Sequence, residues 1–267
     1  VQTVISNQWI DEEIRPDKSY IQNCTYFPKS KQSRINMRYQ GTFHCISTLA
    51  HELGHGYHYH HLSNQPAFSQ FTPLSMAEIA STFAEMLVTK CMIDRVKSVE
   101  EKIILLDEKI KNTITYLLKP YANFLFQKKL YEECRRGSIT ASRLNEFMIE
   151  AQKFVYRESL SQYTPITWIS NNLFYIPTNP FYNYQYSLGY LFSAGIHAQI
   201  QKNQFSSHQY DAFLQDTGCM NLENLAEKHF NIELGSLTFW QGSLDLLLSD
   251  IDLFLELTNF INPSKLF

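Results

Sequence analysis

Residues 42–58 read Thr42-Phe43-His44-Cys45-Ile46-Ser47-Thr48-Leu49-Ala50-His51-Glu52-Leu53-Gly54-His55-Gly56-Tyr57-His58, and the pentad His51-Glu52-Leu53-Gly54-His55 inside them decides the fold. Phe43, Ile46, Leu49, Ala50, Leu53 and Tyr57 recur at three- and four-residue steps. That spacing predicts a helix with this stripe toward a core and His51 and His55 beside it. Thr42, after Gly41, is the expected N-cap. Imidazoles four positions apart stand one turn apart on one helix face, so both can reach one metal ion while Glu52 sits beside the remaining coordination position. The competing reading is two unrelated histidines on a helix surface.

A catalytic zinc site ordinarily takes three protein ligands and leaves a position for water or substrate. The stretch from Met76 to Leu87 predicts a second helix, since Met76, Ile79, Ala80, Phe83 and Leu87 fall at helical spacing. Glu78 and Glu85 then share a face two turns apart, and Glu78 is the candidate third ligand. Pro66 and Pro73 mark the connection, so the two helices can pack across one ion. For Glu85 two readings stand: an acceptor that orients a ligand histidine, or a solvated charge on the helix. His58, seven residues after His51, is a candidate supporting group; His60 and His61 read as surface residues.

Composition excludes several classes. With 267 residues, 44% hydrophobic and 14% aromatic, the chain can bury a core as one large domain or two closely associated lobes. A net charge of -3 gives no drive toward nucleic acid, and the pairs Lys128-Lys129 and Arg135-Arg136 read as solvated helix faces. Five widely spaced cysteines without a C-x-x-C pair fit a reducing cytoplasm. No signal peptide and no apolar run of membrane-spanning length is read, so neither a membrane nor a nucleic-acid partner is expected.

Elsewhere the pattern is mainly helical. Ile21 to Phe27 and Arg34 to Tyr39 suggest a small antiparallel β-hairpin before the metal helix. Its edge either receives an extended peptide or merely covers the helix. Amphipathic stretches follow at Val99 to Leu118, Tyr121 to Arg136, Ser142 to Ser161, Tyr182 to Lys202, Ser206 to Thr217 and Ser236 to Leu257, punctuated by Pro120, Gly137, Pro165, Pro177, Pro180 and Gly218. The leucines from Leu244 to Leu257 are expected to face a core. Tyr182, Tyr186 and Tyr190, at four-residue steps, align on one helix face either as packing aromatics or as donors to the oxyanion of a peptide carbonyl under attack.

These segments together resemble the thimet oligopeptidase and oligoendopeptidase F family of zinc metallopeptidases. The resemblance is carried by His51 to His58 followed by Glu78-Ile79-Ala80-Ser81-Thr82-Phe83-Ala84-Glu85, by Ser33-Arg34-Ile35-Asn36-Met37, by Trp168, and by Pro180 to Phe192. It is strongest toward the oligoendopeptidase F branch. It implies a mainly α, zincin-like metallopeptidase catalytic domain across residues 1–267, with the family's N-terminal helical domain absent from the chain and expected as its partner. It also implies one Zn²⁺ held by His51, His55 and Glu78, general-base catalysis by Glu52, and action of Tyr190 and Tyr186 on substrate. The implied activity is zinc-dependent cleavage of internal bonds in short oligopeptides. Two departures stand out. Leu173 occupies the place of a histidine in relatives, and Tyr20-Ile21-Gln22-Asn23-Cys24 replaces a glycine-rich approach to the cysteine. They keep open the alternative of a peptide-binding pseudoenzyme that retains zinc without effective turnover. Oligomeric state is not legible.

Overall fold

The computed structural model describes residues 1–176, 178 and 180–259. Pro177, one of the punctuating prolines, lies outside the described residues. A short α1 (Gln2–Ser6) leads into β1 (Ile10–Asp11), β2 (Asn23–Phe27) and β3 (Gln32–Asn36). The remaining helices are α2 (Phe43–Leu62), α3 (Leu74–Arg95), α4 (Val99–Cys134), α5 (Ala141–Tyr156), α6 (Thr167–Ser170), α7 (Tyr184–Gln201), α8 (Ser207–Asp216), α9 (Leu222–Phe230) and α10 (Leu237–Asn259). The chain divides into two compact units, residues 1–110 with 189 onward, and residues 111–188.

In the first unit the expected hairpin is present, its first strand shortened to Asn23–Phe27 and its second shifted back to Gln32–Asn36: Cys24 pairs with Ile35 and Tyr26 with Ser33, antiparallel. The sheet order is β1-β3-β2, and β1 runs parallel to β3. A two-residue strand is too short to show alternation, so β1 had no sequence signal. It is held instead by polar contacts from Lys18, which tie it to the end of β3. The buried Lys18 ammonium donates to the Asp11 carbonyl (2.7 Å), the Asp11 carboxylate (2.9 Å), the Glu13 carbonyl (2.9 Å) and the Met37 carbonyl (2.6 Å).

Thr42 caps α2 as expected, its hydroxyl accepting from the Cys45 N–H at 3.2 Å. The apolar stripe, however, is not the buried face. Phe43, Ile46, Leu49 and Leu53 are only half-buried and Tyr57 is exposed, whereas Ser47, Ala50, Glu52, Gly54 and His58 are buried. The reason is that α2 packs against α3, α8 and the sheet on different sides, so its interior includes the polar candidate site. The expected second metal helix extends further than its periodic core, to Leu74–Arg95, and between Ser75 and Met86 only Ala77 and Ala84 escape burial. Phe192 lies among Phe213 and Phe239, with ring centroids 5.5 and 5.4 Å away, in the hydrophobic core formed by α7, α8 and α10. In α10, Phe239 and Leu247 are buried, while Leu244, Leu248 and Leu255 are exposed, so fewer leucines face a core than the pattern suggested. No described helix is long and apolar enough to cross a membrane.

In the second unit, Phe126, Phe147, Met148, Ala151 and Phe174 form the core, with Trp168 packed beside them and its indole N–H on Asn145 at 2.8 Å. The expected break at Pro120 does not occur: α4 runs unbroken through it. Proline offers no N–H to the carbonyl one turn earlier. Here that carbonyl, of Tyr116, accepts instead from the Ser187 hydroxyl at 2.7 Å.

Candidate metal centre

His51, His55 and Glu78 each present one ligand atom within 4.8 Å of the others. The two imidazole Nε2 atoms lie 3.2 Å apart, and His51 Nε2 is 3.4 Å from Glu78 Oε2. Such separations suit donors sharing one ion at about 2.0–2.2 Å. The helix pair brings them together through Gly54, where a Cβ would stand 2.6 Å from the Ala80 carbonyl oxygen. On the other side of α3, Gly189 of α7 lies against Glu78, a Cβ there coming within 2.9 Å of the Glu78 Cβ. Only glycine permits backbone to approach this closely.

Glu85 is buried, and its carboxylate meets His51 Nδ1 at 2.5 Å, which removes the reading of a solvated charge. A carboxylate at Nδ1 keeps the proton on that nitrogen and leaves the Nε2 lone pair for the shared point. Ser47 donates to the other Glu85 oxygen at 3.4 Å. Burial opposes charge on His51, but Glu85, Glu78 and Glu52 outweigh it and raise its pKa to about 9. Burial, with His51 and His58, drives His55 far down, toward the neutral form a ligand needs. Glu78 is pushed up by burial, with His51 and the Ser81 hydroxyl opposing.

Glu52 is 5% exposed, and its Oε2 has no hydrogen-bond partner. Burial is the main force lifting its pKa to about 7, with Glu78 and Glu85 adding to it and His51 and the Cys24 backbone N–H opposing. Buried polar atoms are normally paired. A His-His-Glu set converging within 4.8 Å, with an orphaned carboxylate oxygen on a side chain that feels the charges of His51 and Glu78, fits a divalent metal with its water, so the residues present suit a zinc ion.

His58 Nε2 meets the Thr217 hydroxyl at 2.7 Å, and that hydroxyl donates to the Leu214 carbonyl at 2.9 Å. His58 therefore fastens α2 to the end of α8, its Nε2 turned to Thr217 and away from the ligand nitrogens. His60 is exposed; His61 stands 3.5 Å from Asp211. Tyr190 is buried in α7, next to Gly189. Tyr186, in the second unit, lines a cavity of about 450 Å³ with Leu173, Asn171, Asn183 and Pro120. Tyr182 precedes α7, so the helix aligns two of the three tyrosines. Tyr175, two residues after Leu173, directs its hydroxyl to the Trp168 carbonyl at 2.9 Å.

Fold and site define the class: a helical protein whose two central helices present a His-His-Glu cluster suited to a divalent metal. The chain belongs to peptidase family M3, whose family model matches residues 1–244. It is 25% identical over 241 residues to the chromosomal oligoendopeptidase F of Lactococcus lactis subsp. cremoris, covering 87% of this chain and 39% of that protein. It is 26% identical over 196 residues to an oligoendopeptidase F homolog of Lactococcus lactis subsp. lactis (strain IL1403), covering 71% and 32%. The chain thus spans between about a third and two fifths of the length of these relatives. In fold it is similar to a Chlamydophila abortus protein provisionally described as a peptidase (TM-score 0.80, 24% identity, 96% of this chain and 43% of that one). It is also similar to oligoendopeptidase-F from Enterococcus faecium (TM-score 0.64, 18% identity, 80% and 39%).

Proposed function

We propose that this chain carries the catalytic centre of a zinc-dependent endopeptidase that cuts internal bonds of short oligopeptides. The observation that carries the reading is the convergence of His51, His55 and Glu78, together with a buried, orphaned Glu52 Oε2 in a side chain that feels the charges of His51 and Glu78. His51, His55 and Glu78 would hold one zinc ion. When bound, that ion supplies a lowered pKa for water and polarisation of the scissile carbonyl. Glu52 takes the proton of the attacking water on its free oxygen and returns it to the amine as the C–N bond breaks. Glu85 holds His51 in the required tautomer, and Tyr190 donates to the carbonyl oxygen as it gains charge. Membership of family M3 and likeness to oligoendopeptidase F support an oligopeptide as substrate.

The test is Glu52→Gln. The variant should retain one zinc per chain and lose nearly all cleavage of quenched fluorescent peptides; full activity in it overturns the assignment. Leu173 in the cavity beside Tyr186 sustains the second reading, a peptide-binding pseudoenzyme. Stoichiometric zinc and peptide binding without an internal cut by the unsubstituted protein would favour that reading.

A further inference from the structure

Ser81 is fully buried, and its hydroxyl lies 3.0 Å from Glu78 Oε2 and 3.1 Å from the Glu78 carbonyl oxygen. One hydroxyl proton must choose between them. A serine in a helix commonly bonds back to a carbonyl in the preceding turn, which would give Ser81 no part in the site. Here the carbonyl is already taken. As the acceptor one turn before Thr82 in α3, it receives the Thr82 N–H of the helical ladder, and the Thr82 hydroxyl donates to it at 2.5 Å. A carbonyl oxygen has two lone pairs, so these donors fill it. A bond to an ionised oxygen is also worth about 1.5–3 kcal/mol, against about 0.5–1.5 for a neutral acceptor. Occupancy and charge both send the proton to Oε2.

Oε2 is the Glu78 oxygen that stands 3.4 Å from His51 Nε2. We infer that Ser81 is a positioning residue for the metal centre: its hydroxyl fixes the rotation of the Glu78 carboxylate so that Oε2 stays turned toward the two histidines. Gly189 contributes only backbone beside its Cβ, and the single Thr82 hydroxyl proton goes to the Glu78 carbonyl at 2.5 Å, a shorter contact than the 2.9 Å to Ser193, whose own hydroxyl donates to the Ile79 carbonyl at 2.8 Å. The inference rests on the proposed zinc centre but makes a claim that the centre alone does not.

The experiment compares the unsubstituted chain with Ser81→Ala and Ser81→Cys, measuring zinc affinity by chelator competition and the melting temperature of the metal-free form. Loss of a group that orients a ligand typically costs 10- to 100-fold in metal affinity. Ser81→Ala should weaken zinc binding by that factor with an unchanged metal-free melting temperature. Ser81→Cys, with a weak S–H donor, should fall between. Equal affinity in all three proteins, with zinc bound, overturns the inference alone. Affinity that falls only in step with metal-free stability assigns Ser81 to packing and overturns it too. Absence of stoichiometric zinc from the unsubstituted chain overturns the proposed centre and this inference with it.

Discussion

Gly54 of α2 and Ala80 of α3 meet backbone to backbone, so closely that a methyl group on Gly54 would stand 2.6 Å from the Ala80 oxygen and 2.7 Å from the Ser81 Cα. Neither atom belongs to a flexible side chain. The distance between the helix that carries both histidines and the helix that carries Glu78 is therefore set by the absence of one Cβ.

Gly54→Ala should force the helices apart. Overpacking of this kind costs about 1–3 kcal/mol, and the same displacement should carry Glu78 away from the histidines. Thermal melts and zinc titration should show a lowered melting temperature together with weakened metal binding. Wild-type zinc affinity in a folded variant would show that the crossing does not set the site.

Tyr190→Phe tests the proposed oxyanion donor. Loss of one such hydrogen bond costs on the order of 100-fold in kcat. Zinc content should be unchanged and KM little altered, as measured by steady-state cleavage and metal analysis. A kcat within twofold of wild type would reduce Tyr190 to a packing aromatic.

His197 is 4% exposed, and burial, helped by Lys109 and Lys90, depresses its pKa from 6.5 to about 4. A folded-state pKa below the unfolded one means that the unfolded chain takes up the proton first. The neutral ring's contribution is thus present above pH 6.5 and disappears as pH falls toward 4, up to about 3 kcal/mol by linkage. With metal removed by chelator, His197→Gln should make denaturation midpoints fall less between pH 7 and pH 4.5 than in the unsubstituted chain. Parallel curves would refute the linkage.

Ser187→Ala removes the hydroxyl that serves the Tyr116 carbonyl at the Pro120 position. The expected loss is about 1 kcal/mol. Pro120→Ala restores a helical N–H to that carbonyl, so in this background Ser187→Ala should be nearly neutral. A double-mutant cycle in urea reads the coupling, and additive effects would exclude it.

What was legible in the sequence is what lies along single helices. The His51–His55 pair, the Thr42 cap and the shared face of Glu78 and Glu85 all follow from a 3.6-residue period. The readings that failed depend on partners far along the chain. Pro120 breaks an isolated helix but not one with Ser187 beside it, 67 positions away by number. His58 looked like a supporting imidazole until α8 placed Thr217 against it. The stripe on α2 misled because hydrophobicity marks the interior only where the interior is apolar. Ser81 gave no signal, since a lone serine in a helix has the same appearance whether it serves a carboxylate or nothing.

Glu52, Glu78 and Glu85 place three carboxyl groups in the buried space between α2 and α3. Burial and mutual repulsion make the three unliganded carboxyl groups uncomfortable, and a divalent cation held there would neutralise what the fold has crowded together. Whatever binds the native state alone adds to its stability. The polypeptide is therefore expected to survive proteases and heat in proportion to the metal available to it, so that starvation for the ion would thin out the protein population as well as silence it.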